Sequence, residues 1–200
     1  MSTAKELFIV AVERGPEDGV GQGDLSLALA GAEVIDLLGA EAVALDGDRI
    51  APRDAGAPGE RLLGEAAGQL RRQPPYEAVA DWLWRRGRDL AGTYQSALEA
   101  EGELARERGG RLSFGPERVV AADTELRRRA VGRFEAGDAV LTALAAAVGV
   151  GEEEDEAPAV GDESVTAVVA AVHDAVMELE AVRQRRTIEN TAYANLWRGV

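Results

Sequence analysis

The stretch LSLALAGAEVIDLL, residues 25–38 of a 200-residue chain, decides the fold. Its leucines, Val34 and Ile35 fall on almost every side of a 3.6-residue turn, and Ala28, Gly31 and Ala32 add small contacts. A helix that is apolar all round has no face to offer to water, so it belongs at the centre of a fold. Asp24 in front is a candidate cap, and Gly39 behind it is a plausible stop.

The segments around it read as helices that would wrap such a centre. Residues 3–13 form a first helix, followed by a loop from Arg14 to Asp24. Glu60 to Arg72 places Leu62, Leu63, Ala66, Ala67 and Leu70 on one side, and Gln73–Pro74–Pro75 ends it. Pro74 or Pro75 then starts a helix carrying Val79, Trp82, Leu83 and Arg86. Leu90 to Glu101 carries Tyr94, Ala97 and Leu98 in one stripe. Thr124 and Asp138 are candidate caps for helices running through Leu126, Ala130 and Phe134, and from Ala139 to Val148. Val165, Val168, Val169, Val172, Val176 and Leu179 make an amphipathic last helix. Two hairpins interrupt the series, one around Asp46–Gly47–Asp48 and one from Glu103 to Phe114 around Gly109–Gly110. The acidic run within 149–161 reads as an exposed loop inside a single domain, 1–200, because the 39 residues after it are too few for a core of their own. The expected fold is mainly α: a compact helical core wrapped by amphipathic helices, with one or two small β-hairpins.

Composition narrows the function classes. There is no cysteine, which excludes disulfides and thiolate metal sites. The formal net charge of −14 disfavours nucleic acid, whose phosphates repel an acidic protein unless a basic patch intervenes. No stretch reaches the roughly 18 apolar residues of a membrane span. The apolar run Leu7–Val12 has Lys5–Glu6 in front and no small-residue cleavage site behind, so it does not read as a signal peptide. A cytoplasmic protein is expected.

Three segments together resemble the Golgi phosphoprotein 3-like family, and within it the bacterial, actinomycete-type members. The first is Ala4 to Val12 followed by a loop and Leu29–Ala30–Gly31 to Leu37. The second is Leu62–Leu63–Gly64–Glu65–Ala66, then Pro74–Pro75 and Val79–Ala80–Asp81–Trp82–Leu83. The third is Leu98 to Leu104, then Arg111–Leu112–Ser113–Phe114 and Val120–Ala121–Ala122–Asp123. Order and spacing agree over about residues 4–150; each motif alone is unspecific.

The resemblance implies a non-enzymatic binding module with no cofactor. Its eukaryotic members are peripheral membrane adaptors that hold phosphatidylinositol 4-phosphate in a basic pocket. That pocket uses a tryptophan in the first loop, an arginine inside an L-R-G triplet and two arginines before L-V-E-x-G. Their counterparts here are Gly21, Ala30, Arg88 and Ala91, so one cation of three remains. The expected headgroup-binding residues are Arg88, Arg85 and Trp84; Arg108 and Arg111 mark the hairpin where the family self-associates and meets membranes.

Several of these features have a plainer reading; for the polar hairpin tip Arg108–Gly109–Gly110–Arg111 it is a solvated turn. Trp82 and Trp84 lie two apart and cannot both face the core; Trp82 is in register with Val79 and Leu83 and is expected inside. Trp84, between Leu83 and Arg85–Arg86, either seals the core edge or meets a partner or an anionic membrane surface. Gly19 to Gly23 lacks the preceding strand and following lysine of a phosphate loop. His173, the only histidine, neighbours Asp174 along the helix and so does not face it; with no second histidine or cysteine, no transition-metal site is expected. Arginines gathered on one concave face with Trp84 would favour a lipid-binding adaptor, peripheral on the inner face of the membrane. Arginines neutralised by nearby acids would favour a protein–protein interaction domain on the same scaffold. A hydrolase would require a deep cleft with convergent carboxylates of perturbed pKa.

Overall fold

A computed structural model describes residues 2–16, 19–54, 59–108, 117–151 and 161–198, with only the backbone described for 108, 117 and 191–198. The chain runs α1 (Thr3–Arg14), α2 (Gln22–Gly39), β1 (Val43–Asp46), β2 (Arg49–Pro52), α3 (Arg61–Gln69), α4 (Val79–Arg86) and α5 (Leu90–Ala100). It continues with β3 (Leu104–Arg108), β4 (Glu117–Ala121), α6 (Glu125–Glu135), α7 (Ala139–Ala147) and α8 (Glu163–Arg198). The fold is mainly α with two antiparallel two-stranded hairpins.

The apolar stretch 25–38 does become the centre. α2 touches α1, α3, α4, α5, α7 and α8, and Ala28, Leu29, Ala30, Ala32, Val34 and Leu37 are fully buried. One hydrophobic cluster joins residues from Ala4 in α1 to Ala175 in α8. Close packing depends on Gly31: a Cβ there would collide with Val172 Cγ2, so the glycine is what lets α8 lie across α2. The indole of Trp82, buried as expected, donates to the Ala30 carbonyl at 3.1 Å and so enters the core without an orphaned N–H.

Helix ends are held by side chains of the expected types and by some that are less obvious. Thr124 accepts from Arg127 N, and Asp138 from Leu141 N. The N-terminus of α1 is held twice. Ser2 accepts from Lys5 N, and Asp36, from the last turns of α2, accepts from Thr3 N at 2.9 Å and Ala4 N at 3.3 Å. α2 begins at Gln22 after Gly21 rather than at an Asp24 cap, which places Asp24 inside the first turn.

Several boundaries differ from the sequence reading for identifiable reasons. α3 stops at Gln69, because Leu70 turns to an extended conformation and buries its side chain. Pro74 and Pro75 do not open α4. Residues 76–78 instead run beside β2, with Ile50 N donating to Glu77 O and Val79 N to Asp48 O, and α4 starts only at Val79. In the second hairpin Leu104 pairs with Ala121 and Arg108 with Glu117, so the described return strand is Glu117–Ala121, while the expected segment Arg111–Phe114 lies outside the described residues. The loop 149–161 is partly anchored: Val150 is buried and donates to Ala145 O, while residues 152–160 lie outside those described.

Candidate functional site

The first turns of α2 and the α4–α5 junction assemble one surface. Gly87 sits against the Ser26 carbonyl and Leu27, and the Ser26 hydroxyl accepts from Ala91 N at 3.0 Å. The counterparts of the expected headgroup pocket are therefore neighbours in space, but they do not gather positive charge. Ala30 and Ala91 are both 0% exposed and packed into the core. Arg88 is exposed and pairs with no described residue; Asp89 follows it and Asp24 stands on the facing helix.

The sequence reading missed Arg183 of α8 here. Its guanidinium binds Asp24 at 2.7 and 2.9 Å, crossing over the start of α2. A Cβ on Gly23 would lie 2.9 Å from Arg183 Nη2 and 2.9 Å from Leu179 Cδ2, so the glycine makes room for the crossing. The hydrogen bond to Asp24, against the desolvation that comes with partial burial, holds the Arg183 pKa above its ordinary value. The basic group that reaches this surface thus arrives with its own counter-ion.

The other arginines of α4 are engaged as well. Arg85 donates to both Glu77 oxygens at 2.6 and 2.7 Å and lies 5.0 Å from the centroid of the Trp82 ring, a cation–π arrangement. Arg86 turns inward, in register with Val79, Trp82 and Leu83, and forks onto Glu33 at 2.7 and 2.8 Å. The Glu33 side chain is 0% and that of Arg86 8% exposed. Tyr94 OH donates to the same carboxylate at 3.2 Å. Burial pushes the Glu33 carboxyl upward against the pull of Arg86 and Tyr94. Burial is the largest influence on Arg86 and opposes its charge, but the hydrogen bond and the charge of Glu33, with smaller help from Tyr94 and Glu65, together hold its pKa above the ordinary value. Tyr94 is driven far above its ordinary value, by burial first and Glu33 second, and stays a neutral donor. Trp84 alone of the α4 aromatics meets solvent, at 37% exposure.

A parallel network joins α1 to α6. Glu6, fully buried, is bound by Arg129 at 2.6 Å and by Arg133, which also holds Asp138 at 2.7 Å, while Arg127 binds Glu13 at 2.9 Å. One signal marked Glu6 and Glu33 in the sequence: Glu33 sits inside an apolar helical run and Glu6 directly in front of one. A charge that must be buried requires a partner from elsewhere in the chain.

A cleft of about 870 Å³ opens at the other end of α2, between the start of α1, α3 and α6. Asp36 and Glu60 line it, but both are helix caps. Asp36 holds Thr3 N and Ala4 N, and Glu60 holds Leu62 N and Leu63 N. Burial raises the Asp36 carboxyl, yet its lone pairs are committed to α1, which leaves it poorly placed for proton transfer.

In the second hairpin Arg108 ends β3 but its side chain is not described, and Arg111 lies outside the described residues. His173 is exposed on α8. Among the described residues no group of three or more histidines and carboxylates is arranged to hold a metal, and no helix is long and apolar enough to cross a membrane. A family model described as Golgi phosphoprotein 3 (GPP34) matches residues 4–190. No curated protein matches the chain.

Proposed function

The chain belongs to the Golgi phosphoprotein 3 family, and from that membership we propose that it is a non-enzymatic, single-domain binding module whose partner is a protein rather than a phosphoinositide headgroup. The observation that carries this reading is the state of the arginines. Arg85 is bound to Glu77, Arg86 to the buried Glu33, and Arg183 to Asp24, which leaves Arg88 as the one cation of this surface without a partner among the described residues. A phosphorylated inositol is a dense anion that needs several cations or oriented N–H donors at once. Releasing Arg86 for that purpose would strand Glu33 inside the core, at a cost of about 3–5 kcal/mol. Ala30 and Ala91 add neither charge nor space.

A second reading keeps a membrane role, and exposed Trp84 near unpaired Arg88 is what favours it. In that reading the protein would touch an anionic surface weakly and peripherally, on the inner membrane face. We take the setting to be a bacterial cytoplasm, in keeping with the resemblance to the bacterial members of the family.

Co-sedimentation with vesicles separates the two readings. Protein is spun with neutral vesicles and with vesicles containing phosphatidylinositol 4-phosphate, at low and at physiological salt, as wild type and as Arg88→Ala. The proposal expects equal, background-level pelleting throughout. Phosphoinositide-dependent pelleting that Arg88→Ala removes would overturn it and establish the second reading.

A further inference from the structure

The cleft at the C-terminal end of α2 has features of a ligand site, and it lies at the opposite end of that helix from the surface around Arg88. Its volume of about 870 Å³ falls within the usual range for small-molecule pockets. One wall is apolar, formed by Ile35, Leu63 and Leu126, all well packed behind their exposed edges. The polar groups around it are nearly all committed. Lys5 is shared between Glu60 and Glu101, Asp36 caps α1, and Arg133 is divided between Glu6 and Asp138.

Arg129 is different. Its Nε is fixed by the buried Glu6 carboxylate at 2.6 Å, and its two terminal nitrogens have no partner among the described residues. A guanidinium pinned through Nε presents its outer edge in a set orientation, which suits a carboxylate. A dianionic phosphate is the poorer match, because Asp36 and Glu60 line the same space. We propose that this cleft binds a small amphiphilic monocarboxylate, with the carboxylate on the outer edge of Arg129 and the apolar body against Ile35, Leu63 and Leu126.

The test is a titration of the full chain with sodium octanoate below its micellar concentration, followed through backbone amide NMR shifts, with octanol and octylamine as isosteric controls. Saturable shifts at Ala40, Leu63 and Leu126 are expected with octanoate. Octanol should bind about tenfold more weakly or worse, and Arg129→Gln should weaken octanoate by about the same factor. Gly39 supplies a second variant that leaves the charges alone. It lines the cleft, and a Cβ there meets nothing within 4 Å, so Gly39→Leu fills the space without disturbing the fold. That variant should lose octanoate binding while keeping its melting temperature. Octanoate that gives no saturable shift, binds no better than octanol, or is indifferent to either substitution overturns the proposal.

Discussion

Replacing Arg86 by methionine tests the internal ion pair that withholds this arginine from the surface. The side chain lost is 8% exposed and supplies two short hydrogen bonds, at 2.7 and 2.8 Å, to a carboxylate that is 0% exposed. Methionine fills much of the volume but leaves Glu33 with only the Tyr94 hydroxyl. Breaking a buried pair in this way costs about 3–5 kcal/mol. For a chain of this length each kcal/mol moves the melting temperature by roughly 2–4 °C, so the variant should melt about 6–20 °C lower. The double variant Glu33→Leu/Arg86→Met removes both charges and should recover most of that loss, short of about 1 kcal/mol for the Tyr94 hydroxyl left without an acceptor. Acid should also help the single variant. Without Arg86 the Glu33 carboxyl rises further above its unfolded value of about 4.3, so the folded state takes up the proton first as pH falls from 7. Urea unfolding at 25 °C, followed by circular dichroism at pH 7 and pH 5, measures all three quantities. A loss below about 1 kcal/mol in Arg86→Met, or a double variant no more stable than the single one, would refute the reasoning.

Packing at the crossing of α2 and α8 gives a second expectation: Gly31→Ala should cost about 1–3 kcal/mol through collision with Val172, and Val172→Ala in the same chain should relieve part of it, as read by urea midpoints. Asp36 has its pKa raised by burial, so wild type should gain stability relative to Asp36→Asn as pH falls from 7 through the folded pKa toward about 3.9; a gap that moves the other way contradicts this. Asp138 has the opposite sign. Burial pushes it up, but Arg133 and the amides it caps hold it below the ordinary range, so the advantage of wild type over Asp138→Ala, about 1 kcal/mol at neutral pH, should fade as pH drops below about 3.9.

Much of the architecture could be read from the chain because the hydrophobic pattern leaves few alternatives. Residues 25–38 had no polar face, so a central helix was forced, and the Thr124 and Asp138 caps sat where backbone N–H groups needed acceptors. Boundaries failed where pairing across the chain overrode local preference. Nothing near Pro75 announces that residues 76–78 will lie along β2, or that β3 will pair with residues 117–121. The surface around Arg88 was legible as a place but not as a chemistry. Its chemistry depends on Arg183, 159 residues from Asp24, and on the choice of Glu33 by Arg86, 53 residues away. Spacing along a helix shows which way an arginine points and not which acid waits there. Arg86 itself carried a hint, since it shares the inward register of Val79, Trp82 and Leu83.

On the proposed reading, the surface around Arg88, the counterpart of the family's lipid pocket, does not recognise a phosphoinositide. A titration with short-chain phosphatidylinositol 4-phosphate at low salt, followed through the amides of Gln22–Asp24 and Arg86–Ala91, tests it most directly. No saturable shift is expected at those positions in wild type. Saturable shifts confined to them, and abolished by Arg88→Ala, would contradict it.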